Sequence, residues 1–118
     1  MIAHTGNLPA GIKAVTATDL AVGAVVQAAR KHNARVVITA DHGNVEKMID
    51  ERTGEIDTEH SVTPVPFILV DDKLKNKKSA LRKSGVLGDI APTILELFGL
   101  PQPKEMTGKS LIELIFKE

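Results

Sequence analysis

The segment Arg35–Asn44, RVVITADHGN, decides how this chain is read. Val36, Val37, Ile38 and Thr39 form a β-branched run without polar alternation. Such a run suits a strand covered on both faces, the usual setting in a parallel sheet. It stops at Asp41 and His42, which stand side by side ahead of Gly43. Open parallel sheets hold ligands beyond the carboxyl ends of their strands. The segment therefore predicts a strand that delivers one oxygen donor and one nitrogen donor to a sheet edge.

Upstream, the spacing from Pro9 to about His32 is helical. Ile12, Val15, Val22, Val25, Val26 and Ala29 share a face, and Lys13, Thr16, Gln27 and Arg30 lie off it. Lys31 and His32 put positive charge in the last turn, and Asn33 can stop the helix. Downstream, Asp41 to Ser61 is polar and rich in Gly, Asp and Thr, which predicts a loop. Val65–Val70, VPFILV, predicts a second strand covered on both faces, with Pro64 and Pro66 confined to its start. Lys73, Lys75, Lys77, Lys78 and Lys83 fall between Asp71 and Lys83 and read as a solvated loop. Asp89 caps a further helix with Pro92 in its first turn. Ile94, Leu95, Leu97 and Phe98 form that helix's apolar side, and Gly99 ends it. After the turn LPQP, Leu111 to Phe116 predicts a short amphipathic turn or helix. Helix, strand, long loop, strand and helix make an α/β pattern with parallel pairing.

Composition narrows the function. The 118 residues suit one domain or a piece of one. Aromatic residues make up 3%, with no Trp or Tyr, so any core is aliphatic. Lys+Arg and Asp+Glu both number 15, which argues against binding nucleic acid or membrane through bulk charge. The absence of cysteine removes disulfide and thiol chemistry and fits a reducing, cytoplasmic setting. No apolar run is long enough to span a bilayer, and no signal peptide opens the chain. The opening MIAHTGN enters an apolar, His-containing stretch without a polar lead-in, as expected of a segment cut from something longer.

The chemistry-bearing residues are few. Of four histidines, His32 falls at a helix end and reads as a surface cap. His4, His42 and His60 lie in loops among small or polar neighbours. A lone loop histidine is ordinarily a surface residue. Asp41 with His42 at a strand end is different, because O and N donors together suit Zn, Mn or similar ions. Metal binding, catalysis and a plain surface role all remain open on pattern alone. Gly43, lacking a Cβ, lets backbone come close to a ligand. Two other matches fail. TGKS, Thr107–Ser110, lacks the upstream glycine of a phosphate-binding loop, Pro103 standing there instead. DERTGE, Asp50–Glu55, lacks the alternate carboxylates of a calcium loop.

Four blocks carry a family likeness: AHTGN, ITADHGNVEKMID…TGE, EH…TPVPFILV and GVLGDIAPTILELFGLPQPKEMTGKSL. In this order and spacing they resemble the cofactor-independent (2,3-bisphosphoglycerate-independent) phosphoglycerate mutases of the alkaline phosphatase superfamily. The resemblance covers nearly the whole chain. It implies a three-layer α/β fold, mainly parallel with helices on both faces, of which residues 1–118 form an incomplete, C-terminal portion of the metal-binding phosphatase-like domain. It also implies interconversion of 3-phosphoglycerate and 2-phosphoglycerate through a phosphoserine, with two ions, Mn²⁺ or else Mg²⁺ or Zn²⁺. By motif, His4 and His60 match the histidines of one metal, and Asp41 and His42 match the adjacent pair on the other. Neither the nucleophilic serine nor the remaining aspartates have a match here, so the 118 residues alone are expected to be inactive. After His60, SVT departs from the family's more usual Thr/Asn-containing stretch.

Two rival readings stand beside this one. Another phosphomutase or phosphohydrolase of the superfamily shares the DHG core, though the tail block favours the glycerate mutases. A non-catalytic remnant or interaction fragment is the second. Either way, strands without their neighbours expose an edge, which predicts self-association.

Overall fold

A computed structural model describes residues 7–43, 63–75 and 80–114. The chain divides into two units, Met1–Asp72 and Lys73–Glu118.

In the first unit, helix α1 spans Leu8–Lys31. Asn7 caps it, its Oδ1 accepting from the Ala10 amide at 3.0 Å, and Pro9 sits in the first turn. The other end closes where Asn33 was expected to stop it. Asn33 takes a left-handed φ of 55°, its amide donates to the Arg30 carbonyl, and the Ala34 amide donates to the Ala29 carbonyl. That pair of bonds satisfies two carbonyls the helix would otherwise orphan. The predicted apolar face is only partly covered. Val22, Val26 and Ala29 are half-buried, while Ile12, Val15 and Val25 are exposed. One expectation needs correction here. By length and composition α1 is apolar enough to cross a membrane, with a mean hydropathy of 1.3 over an 18-residue stretch. Its apolar residues are interrupted by Lys13 and Asp19, so no uninterrupted run announces it.

Strands β1, Val36–Ile38, and β2, Ile68–Val70, lie where two strands were expected, each shorter than its apolar run. They pair antiparallel, Val36 opposite Val70 and Ile38 opposite Ile68, which overturns the parallel pairing. The inference failed because an unbroken β-branched run reports apolar surroundings and says nothing of direction. A parallel return also needs a crossover, usually a helix, and the segment after Asp41 shows no helical spacing. Neither strand is fully covered: β1 is half-buried throughout and Ile68 is exposed. The three-layer parallel sheet is thus not seen among the described residues, whose sheets are two-stranded. Ion pairs flank the ladder. Arg35 Nε donates to Asp71 Oδ2 at 2.6 Å, and Arg30 Nε to Asp72 Oδ2 at 2.9 Å.

In the second unit, β3, Ala80–Leu81, pairs antiparallel with β4, Ile112–Leu114. The expected C-terminal turn or helix is therefore a strand over its described part. A short apolar run cannot be assigned to helix or strand by periodicity alone. Helix α2, Ile90–Leu97, follows a 3₁₀ turn at Leu87–Asp89 and ends at Gly99, φ 67°. Its end repeats the bonding of α1: the Gly99 amide donates to the Glu96 carbonyl and the Leu100 amide to the Leu95 carbonyl. The expected apolar side is covered only in part, Leu95 and Leu97 being half-buried. Pro92 and Thr93 point inward, whereas Ile94 is exposed and Phe98 is 76% exposed. Thr93 has no accessible surface at all. Its hydroxyl donates to the Asp89 carbonyl at 2.6 Å and accepts from the Leu111 amide at 2.9 Å. A polar group so placed is tolerated because both of its bonding roles are filled.

Candidate metal-binding pair and its surroundings

Three residues beyond β1, the chain reaches Asp41, His42 and Gly43. Asp41 is 86% exposed at its side chain and His42 about a third exposed. Gly43 is buried. His42 Nδ1 lies 2.7 Å from the Gly43 carbonyl oxygen. A carbonyl oxygen can only accept, so Nδ1 carries the proton. In the neutral ring Nε2 then holds the lone pair, and it stands 3.7 Å from Asp41 Oδ1. A metal ion placed between these two electron-rich atoms would be attracted by both. The spacing fits an ion, because ligands about 2.0–2.2 Å from a shared centre lie roughly 3–4 Å apart. Fixing one ring nitrogen on a backbone carbonyl is also how ligating histidines are commonly oriented. Gly43 was singled out for its missing Cβ. Its carbonyl, the atom that sets the tautomer, left no mark in the sequence.

His4 and His60 lie outside the described residues, so the second expected pair has no geometry here. His32 is an exposed helix cap, as expected, its amide donating to the Ala29 carbonyl at 3.0 Å. Among the described residues no group of three or more His, Asp or Glu side chains converges.

The second unit contains a carboxylate of another kind. Asp89 is buried, its Oδ1 accepting from the Lys109 amide at 2.8 Å and its Oδ2 from the Val86 amide at 3.0 Å. These two bonds, the Lys109 one first, hold its carboxyl below the usual range; Arg82 adds to them and burial opposes them. Arg82 Nη1 also donates to the Lys109 carbonyl at 3.0 Å. This web accounts for TGKS without any phosphate. A Cβ on Gly108 would overlap the backbone carbonyl of Gly88, so glycine is needed there for close chain packing.

The pattern of the metalloenzyme superfamily matches residues 1–102. The chain belongs to that superfamily. It is similar to the 2,3-bisphosphoglycerate-independent phosphoglycerate mutase of Cellvibrio japonicus, 53% identical over 114 residues, 97% of this chain and 21% of that protein. The enzyme of the same name from Thermomicrobium roseum is 50% identical over 113 residues, 95% of this chain and 22% of that protein. Among solved structures, Leishmania mexicana phosphoglycerate mutase, crystallised at low cobalt concentration, superposes with a TM-score of 0.81 at 29% identity. That match covers 98% of this chain and 23% of the other. The chain therefore spans about a fifth of the length of the curated relatives it matches. The likeness supports the α/β class.

Proposed function

We propose that residues 1–118 are the C-terminal portion of the metal-binding domain of a cofactor-independent phosphoglycerate mutase. Its substrates would be 3-phosphoglycerate and 2-phosphoglycerate, and its setting the cytoplasm. The observation that carries the site is the His42 ring, locked on the Gly43 carbonyl with Nε2 turned to Asp41. The names of the relatives support the substrate. Asp41 and His42 supply an O and an N donor to one ion, and His4 and His60, by motif, supply donors to a second. Mn²⁺ leads, with Mg²⁺ or Zn²⁺ as alternatives. A bound divalent ion would offset charge on a transferring phosphoryl group and favour an ionised serine. The chain's own part is to orient the donors: Gly43 fixes the tautomer and β1 delivers the pair.

Titrating Mn²⁺ against the wild type and Asp41→Ala/His42→Ala tests the assignment. Binding at least tenfold weaker in the variant is expected, on the order seen when ligand sets are impaired. Equal binding would remove it. Helix α1 serves here as an amphipathic helix, because Asp19, at its middle, would cost about 2.5–3.5 kcal/mol at a membrane centre. The exposed Leu20 and Val25, and separately Phe98, support self-association of the chain when alone. Light scattering over a wide concentration range should show mass above the monomer. A strictly monomeric species at high concentration would exclude it.

A further inference from the structure

The ladder that delivers Asp41 and His42 is poorly specified by its own residues. β1 is Val36, Val37, Ile38 and β2 is Ile68, Leu69, Val70. Every paired position on both strands is apolar and aliphatic. Register is normally set by alternation, since a slip of one residue turns every side chain to the other face. Here a slip exchanges one aliphatic residue for another and meets little resistance from the pattern. Yet the same slip would turn over the chain that leads into Asp41 and His42.

The observed register runs Val36 to Val70, Val37 to Leu69 and Ile38 to Ile68. Extended by one position it places Arg35 opposite Asp71, and these two are joined at 2.6 Å. The Asp71 side chain is only 5% exposed, while Arg35 remains 43% exposed. A buried carboxylate holds its guanidinium partner far more selectively than a solvated one, because removing one member of a buried ion pair is costly. The neighbouring Arg30–Asp72 pair differs. Its arginine comes from α1, off the ladder, and its side chains are 47% and 50% exposed.

We propose that the Arg35–Asp71 pair is the register lock of the β1–β2 ladder, and thereby a positioning element for the Asp41–His42 metal pair. The proposal rests on the metal reading of that pair. Arg35 and Asp71 touch no ion; they fix which residue of β1 faces which residue of β2, and so where the two donors emerge.

The test is Mn²⁺ affinity in the full chain, with far-UV circular dichroism confirming that each variant is folded. Arg35→Gln and Asp71→Asn should each weaken binding roughly tenfold, the lower end of what losing a supporting partner does at metal sites. The double variant should be no weaker than either single one, because both remove the same contact. Arg35→Lys, which keeps the charge, should restore affinity to within about threefold of wild type. Arg30→Gln should leave affinity unchanged. Wild-type affinity in folded Arg35→Gln and Asp71→Asn would overturn the lock, as would an equal loss in Arg30→Gln, which would point to general destabilisation. If Arg35→Gln does not fold, Asp71→Asn and Arg35→Lys carry the same comparison. Wild-type affinity in Asp41→Ala/His42→Ala would remove the metal reading itself, an outcome distinct from failure of the lock alone.

Discussion

Two aspartates, one in each unit, show how the same side chain takes opposite roles. Asp89 in the second unit spends both carboxylate oxygens on backbone amides of Val86 and Lys109 and lies buried beneath Arg82. Asp41 in the first unit is solvent-exposed and stands before the lone pair of His42. The first arrangement joins segments distant in sequence and commits both carboxylate oxygens to the protein. The second presents an O and an N donor side by side just beyond β1. Burial with satisfied oxygens marks a structural carboxylate; exposure beside a tautomer-fixed imidazole marks a candidate ligand. The contrast predicts that substitutions in the two units separate metal binding from stability.

The largest expected effect concerns catalysis. Within these 118 residues the family resemblance supplies metal-ligand positions and no match for a nucleophilic serine. Loss of a nucleophile alone can cost on the order of a million-fold in turnover. The polypeptide by itself should therefore show no conversion of 3-phosphoglycerate with excess Mn²⁺, in preparations free of host mutase. Turnover near that of the relatives would mean that the catalytic group lies within this chain and was overlooked.

Thr93→Val sharpens the comparison from the structural side. The valine keeps the shape but deprives the Leu111 amide of its acceptor and the Asp89 carbonyl of its donor. Leaving such buried groups unsatisfied costs roughly 1–3 kcal/mol. Urea unfolding should show that loss, while Mn²⁺ affinity stays at the wild-type value. A variant as stable as wild type would mean that the bonds at Thr93 do not hold the tail, and a loss of metal affinity would erase the distinction between the units.

What could be read in advance follows the range of the signal. Both helices were legible, because Asn33 and Gly99 are local stops and each does take a left-handed φ. The adjacency of Asp41 and His42 needs no folding to be read; their role as ligands is what the Mn²⁺ titration tests. Strand direction was not legible, since it depends on partners tens of residues away. A clue did exist: Arg35 precedes β1 and Asp71 follows β2, and those two ends meet only in an antiparallel pair. The apolar side of α2 was legible as composition, but its burial was not: Leu95 and Leu97 are half-buried, Ile94 and Phe98 exposed, and the helix turns Pro92 and Thr93 inward. No propensity scale anticipates that, because Thr93 is buried by two hydrogen bonds to chain segments on either side. The tail strand Ile112–Leu114, expected as a turn or helix, was not legible because its partner, Ala80–Leu81, is a two-residue strand with too little pattern to announce pairing.

The smallest effect under ordinary conditions appears only in acid. The carboxyl of Asp89 titrates below its usual range because the Lys109 and Val86 amides favour its ionised form in the folded chain. In the unfolded chain it titrates near the ordinary value of about 3.9. A group lowered by folding contributes stability that is complete above its unfolded value. That contribution is lost as pH falls from about 4 through the lower folded value. At pH 7 it is fully present, so small changes around neutrality should do nothing. The amide proton shifts of Val86 and Lys109 report the group directly, because both amides donate to it. They should titrate together with a midpoint below that of an ordinary aspartate. Asp89→Asn should be less stable than wild type at pH 7, since an amide side chain has only one acceptor oxygen for two donors. It should also lose less of its remaining stability between pH 5 and pH 3. Equal acid sensitivity in the two proteins would show that Asp89 is not the group whose ionisation ties the tail down.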